Sequence, residues 1–322
     1  MGTPCYIGGF TSEGGPGLVV TEREGRTLTE RARIPLENPS WLARRGSVLY
    51  AVQESTAGAV RALSIADPYA PQVLGAQLTE GAEPTHCTVH RDWLVSSNYG
   101  SGSVAVHPIE ADGTLGALSD LVQHGAGAHA HQALGDPSGN WLLCVDIGVD
   151  TVFVYRIEDG KLREHSRAVL PKGSGPRHLD FHPDGDRAYL VHEYESTVTV
   201  LDWDAGPGTL SIGKSVSTRQ GSGGDNFPGE ITVSEDGRFV YASNRGDNTI
   251  ARFAVEGSGL RLLDTVPATG DWPRQFALAE SALYVGNERG GQVVRFDRDP
   301  DSGELSGPRP VFDCPGVSMI LP

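Results

Sequence analysis
The stretch that decides the fold runs from Gly175 to Trp203, GPRHLDFHPDGDRAYLVHEYESTVTVLDW. It reads as a short apolar strand headed by Pro-Arg-His, a turn closed by Asp-Gly, a second apolar strand, a polar turn and a third, alternating strand. The phrase recurs in FPGEITVSEDGRFVYASNRGDNTIARFAV from Phe227, AHAHQALGDPSGNWLLCVDIGVDTVFVYRI from Ala128 and EPTHCTVHRDWLVSSNYGSGSVAVHPI from Glu83. Weaker copies start at Asn38 (NPSWLARRGSVLYAVQES) and Trp272 (WPRQFALAESALYVGNERGGQVVRF). Aligned on the third residue of the opening phrase, the units fall at Trp41, His86, His131, His178, Glu230 and Gln275, with gaps of 45, 45, 47, 52 and 45 residues.

A period of that size marks a repeat architecture. Turn signals every 8–12 residues and the lack of helical periodicity make the chain all-β. Six units are whole. A seventh is split: CYIGGFTSEGGPGLVVTEREGRTLTE at the front lacks an opening strand, and PGVSMILP at the back is one, with Ser318 at the place of Gln275. Four antiparallel strands per unit and seven units predict a seven-bladed β-propeller, a single domain over residues 1–322, closed where the two terminal segments share a blade. That closure hides two sheet edges. A large β-sandwich fits the regular spacing less well, and the signature residues of WD and kelch repeats are missing.

Composition agrees. The 322 residues are 38% apolar, with 42 Gly and 21 Pro for tight turns. A formal charge of −15 argues against nucleic acid and anionic membrane as partners. There is no run of 18 apolar residues and no basic, apolar leader pattern at the start, so the expected compartment is the cytoplasm. Cys5, Cys87, Cys144 and Cys314 lie far apart and read as small buried hydrophobes; a Cys5–Cys314 disulfide is the less favoured reading.

In a propeller the start of the first strand and the end of the second lie at one end of every blade, so opening phrases and second-strand ends gather at one mouth. The opening phrases bring His86, His129, His131, Arg177, His178, Glu230 and Arg274 there. The second-strand ends bring Glu54, Asn98, Tyr99, Asp146, His192, Glu193, Arg245 and Glu288. The other end receives HPDG, DPSG and SEDG, which are ordinary turn chemistry.

Each residue also has a structural explanation. A lone inward His is often a satisfied core residue, and His86 and His178 divide evenly between the two readings. An Arg at this position can pair with Glu193 or Glu230, although a buried pair adds little net stability; Arg177 is therefore read as functional. His129 and His131 are separated by one residue in GAGAHAH, and one of the two is expected to enter the pocket. Asp146 and Asn244 read as turn caps. The segment GSGGDN, residues 221–226, reads as a lid or as a loose loop.

Arginines on an acidic protein point to an anionic ligand, bound through guanidinium forks. His beside a carboxylate supplies acid–base chemistry near neutral pH, and a cation at a carbonyl oxygen stabilises charge as water attacks. This set suits ester or lactone hydrolysis, or lactone closure by proton transfer. No GxSxG nucleophile or phosphate loop is present, and no cofactor is called for. A divalent ion on His86, His131, His178 and Glu230 ranks below the metal-free reading. The expected partner is a small anionic lactone or carboxylate, with the chain acting as a monomer.

The phrases YIGGFTS, LYAVQE, SNYGSGSVAVHPI, HAH, GPRHLDFHPDG, AYLVHEYESTV, SEDGRFVYASNRGDNTI and PRQF together resemble the seven-bladed lactonase family, across essentially the whole chain. That family includes propeller-type 6-phosphogluconolactonases and carboxymuconate cyclases. The resemblance implies a His, two Arg and a Glu at the site. Carried over by motif, they are His131 or His129, Arg177, Arg245 (with Arg274 a further candidate) and Glu193. FPGE stands where many relatives have Ala before the Glu, and VQE where Asn-Glu is usual. The expected activity is metal-independent lactone hydrolysis by His131, Arg177, Glu193 and Arg245. His86, His129, His178, Glu230 and Arg274 then contact substrate. A cycloisomerase using the same residues is the runner-up. A non-catalytic propeller binding a protein through Trp41, Tyr99, Tyr194 and Trp272 ranks third.

Overall fold
A computed structural model of the chain describes residues 2–221 and 223–322. They form seven four-stranded antiparallel sheets, the architecture of a seven-bladed propeller. Blade 1 is the split one: Val317–Leu321 pairs with Thr3–Gly9, followed by Leu18–Glu24 and Thr27–Ile34. Blades 2 to 7 open with Leu42–Arg45, Pro84–His90, Ala130–Gly135, Pro176–Phe181, Phe227–Val233 and Pro273–Ala279, in chain order. The repeat and its split member therefore stand as expected from the sequence.

Contacts divide the chain into two compact units. One holds residues up to Pro35, His178–Asp202 and Ile212–Pro322; the other holds Leu36–Arg177 and Trp203–Ser211. In each unit the middle strands are buried on both faces, which explains their near-continuous apolar runs. In the first, Tyr189, Val198, Ile231 and Phe253 pack blade 5 on blade 6, and Tyr241, Phe276, Leu283 and Phe296 pack blade 6 on blade 7. Cys5, Ile7, Tyr284, Cys314 and Ile320 join blade 7 to blade 1. In the second, Tyr50, Val60, Cys87 and Leu94 join blades 2 and 3, and Val95, Val104, Leu142 and Phe153 join blades 3 and 4. All four cysteines are buried free thiols. No helix among the described residues is long and apolar enough to cross a membrane.

The opening strands of blades 1, 3, 4, 6 and 7 share a β-bulge, which inserts a residue and re-aims side chains. Pro84 pairs with Asn98 and His86 with Ser97, leaving Thr85 as the extra residue. His131 is the extra residue between Ala130 and Gln132, Arg274 between Pro273 and Gln275, and Ser318 between Val317 and Met319. In blade 6, Gly229 and Glu230 occupy the interval between Pro228 and Ile231. This corrects the alignment at two points. His131 matches Thr85 and Arg274, one place ahead of His86 and Gln275, and Ser318 matches Arg274 rather than Gln275. The sequence comparison had counted His for His and so slipped by one residue in blade 4.

Candidate functional site
The registers put opening phrases and second-strand ends together within each blade: Pro84 faces Asn98, Ala130 faces Asp146, Phe227 faces Arg245 and Pro273 faces Asn287. What they bring together is described for each unit in turn.

In the unit holding blades 5, 6, 7 and 1, six of the expected residues meet in three pairs. Nη2 of Arg245 donates to Oε2 of Glu193 at 2.5 Å. The same guanidinium is anchored through Nε to the Phe227 carbonyl at 2.7 Å and through Nη2 to that of Pro228 at 3.2 Å. Burial pushes Arg245 down from its ordinary value; Glu193 opposes this, and the charge of Arg274 adds to it. Nδ1 of His178 lies 3.0 Å from Oε1 of Glu230, both side chains buried. The Glu230 carboxylate also accepts the Ile231 N–H, and its own N–H donates to Ser243 Oγ. Arg274 pairs with Glu288 at 3.0 Å and lies 4.9 Å over the Phe10 ring.

Glu193 thus meets Arg245, Glu230 meets His178, and Arg274 meets Glu288. Two residues apart on a strand share a face, so Asp180 follows His178. Asp180 accepts N–H bonds from Val233 and Phe181. Burial raises its carboxyl to about 6, and the charge of Glu230 pushes the same way. Sequence reasoning missed Asp180, although its spacing from His178 was a usable signal.

In the unit holding blades 2, 3 and 4, His86 and His131 are buried. His86 packs on Trp41 with ring centroids 4.3 Å apart. Thr85 Oγ1 donates to the His131 carbonyl at 3.2 Å. Residues two apart on a strand share a face, and Tyr99 contacts both histidines, stacked on His129 at 4.6 Å and edge-on to His131 at 5.9 Å. His129 Nδ1 lies 2.9 Å from the Tyr99 carbonyl. Arg177 is buried, 3% exposed.

Asp146 acts as the expected turn cap, accepting the Gly148 and Val149 N–H groups, and it also holds His124 at 2.7 Å. Asn244 bonds Thr218 and Thr249. Of the four rim aromatics named above, Tyr194 alone is exposed, and Trp41, Tyr99 and Trp272 are half-buried. In the 221–226 segment, the Gly224 carbonyl accepts from Arg219, which is paired with Asp247; Ser222 lies outside the described residues. Among the described residues no three His, Cys, Asp or Glu side chains are placed to hold a metal ion.

The sequence profile described as "Lactonase, 7-bladed beta-propeller" matches residues 4–321. The chain belongs to this family. It is 33% identical to the 6-phosphogluconolactonase of Bacillus subtilis over 324 residues, covering 94% of this chain and 93% of that one. A crystal structure of a Lactobacillus plantarum protein superposes with a TM-score of 0.94 at 32% identity, covering 100% of this chain and 99% of the other. The periplasmic gluconolactonase of Pseudomonas aeruginosa gives 0.93 at 28% identity, covering 98% of both chains. Membership of this family makes lactone-type hydrolysis the class of activity that the relationship supports.

Proposed function
We propose that the chain hydrolyses a small anionic lactone, either a phosphorylated sugar-acid lactone or a carboxylated one. The observation that carries this reading is the part-buried Arg245–Glu193 pair at adjacent second-strand ends. It sets a fixed cation and a carboxylate side by side, the combination that acyl transfer to water needs. Arg245 holds the anion or polarises the lactone carbonyl, and Glu193 moves the proton. Water adds to the carbonyl carbon and the ring C–O bond breaks. The proton taken from water ends on the departing ring oxygen, leaving a hydroxy acid.

The test is a panel of sugar-acid and muconate-type lactones, followed by acid release in water enriched in heavy oxygen. Hydrolysis places one solvent oxygen in the product carboxyl. Interconversion of lactone and open acid without label would mark a cycloisomerase, and no turnover above buffer would overturn both readings.

A further inference from the structure
Trp272 sits just ahead of the opening strand of blade 7 with φ +63°. The same position before an opening strand is left-handed in three other blades: Glu83 at +53°, Gly175 at +64° and Gly316 at +63°. Two of the four are glycine, the residue this conformation favours. A tryptophan there is a genuine outlier, and such outliers persist where the surroundings over-determine them. Here they do. The Trp272 N–H donates to Asn248 Oδ1 at 2.9 Å, and its carbonyl accepts from Glu288 N at 3.0 Å. The indole has Arg289 3.4 Å over its ring and Arg245 at 5.6 Å, with Phe227 packed at 5.9 Å. Cation–π contact and aromatic packing thus converge on one half-buried ring beside the Arg245–Glu193 pair.

We infer that Trp272 is a positioning residue for Arg245: its indole keeps the guanidinium seated against the Phe227 carbonyl and Glu193. Resting on the lactonase reading above, it thereby sets affinity for the anionic end of the substrate. Arg245 is held on one side by backbone and carboxylate acceptors. Trp272 supplies the apolar wall on the other, and Arg289 pins that wall in place. The sequence hint is the contrast between GPR at 175–177 and WPR at 272–274, the same phrase with the flexible residue replaced by the bulkiest one.

The test uses the full chain and has two arms. With the protein labelled with ¹⁵N-arginine, hydrogen exchange at Arg245 Nε is followed by NMR, the signal assigned by its loss in Arg245→Lys. Trp272→Gly is expected to raise that exchange rate tenfold or more, and Trp272→Phe to restore it to within threefold. Arg289→Gln, which leaves the backbone untouched, is expected to raise it about threefold and serves if the glycine variant folds poorly. Unchanged exchange in both overturns the inference, whatever the enzyme does. In the activity arm, Trp272→Gly is expected to raise KM about tenfold with kcat within threefold, while the melting temperature stays near wild type because glycine already serves at Gly175 and Gly316. A KM that does not move, or losses that follow the melting temperature, overturns the link to substrate. A wild-type protein that opens no lactone defeats the lactonase reading instead, and the exchange arm still decides whether Trp272 holds Arg245.

Discussion

Gly229 leaves the space that Arg245 fills: a Cβ built on Gly229 would stand 3.3 Å from Arg245 Nε and 2.6 Å from the Arg274 carbonyl. Blade 7 carries an arginine at the corresponding bulge position, Arg274. In blade 6 the cation comes from the neighbouring strand instead, and the bulge residue gives way to it. Gly229→Ala is accordingly expected to push first on the Arg274 carbonyl and Ser243 Oγ and, by a few tenths of an ångström, on the guanidinium. The overpacking cost is about 1–3 kcal/mol, read as a lower urea midpoint. Activity toward the best lactone should fall about tenfold or more, and a variant with wild-type stability and turnover would contradict the packing argument.

Glu193→Gln keeps the shape of the Glu193–Arg245 pair and removes its negative charge. Because the Glu193 side chain is only 19% exposed, the loss should be felt in stability, by about 2 kcal/mol. If Glu193 carries the proton, kcat should fall by roughly two orders of magnitude or more. Urea titration and steady-state kinetics on one preparation separate the two effects; full turnover in a destabilised variant would leave Glu193 a structural residue.

Arg177→Ala is expected to lower kcat/KM by about a hundredfold or more while the far-ultraviolet circular dichroism stays that of the wild type. The side chain is 3% exposed, so a small fall in melting temperature goes with it. Wild-type rates in the folded variant would leave Arg177 a structural residue.

Asp180 makes stability depend on pH in a defined direction. Its folded carboxyl is raised to about 6, above the unfolded value, by burial and then by Glu230. Between roughly pH 4 and pH 6 the folded state therefore holds a proton that the unfolded chain has released. The contribution is fully present below that window and is lost as pH rises through it, by of order 2 kcal/mol. Asp180→Asn should flatten this part of the stability profile when urea midpoints are compared at about pH 4 and about pH 6.5. An unchanged slope would show that Asp180 ionises normally.

The repeat, its split member and the end of each blade that gathers Arg, His and Glu were legible in the chain, because turn signals and apolar strands recur at a nearly fixed distance. Pairings were not. Which arginine meets which carboxylate depends on how one blade packs on the next, and no spacing within a blade records that. Glu193 found Arg245 in the next blade, 52 residues on, and Glu230 found His178, 52 residues back. The bulge was hidden for another reason: an inserted residue leaves no mark on a motif such as HAH, so matching His for His aligned His131 with His86 when it occupies the place of Thr85. Trp272 looked like a rim aromatic, since its backbone conformation cannot be read from composition, although GPR and WPR in matching places held a clue.

Because Tyr6 lies against Leu321 and Ile7 against Ile320, blade 1 cannot be finished during translation until Val317–Leu321 has been made. Every earlier stage leaves Thr3–Gly9 with one bare flank for chaperones, or for another nascent chain, to find. A circularly permuted gene that starts at Leu36 and joins the present ends by a short linker would remove that wait, and should yield more soluble protein wherever synthesis outruns folding assistance.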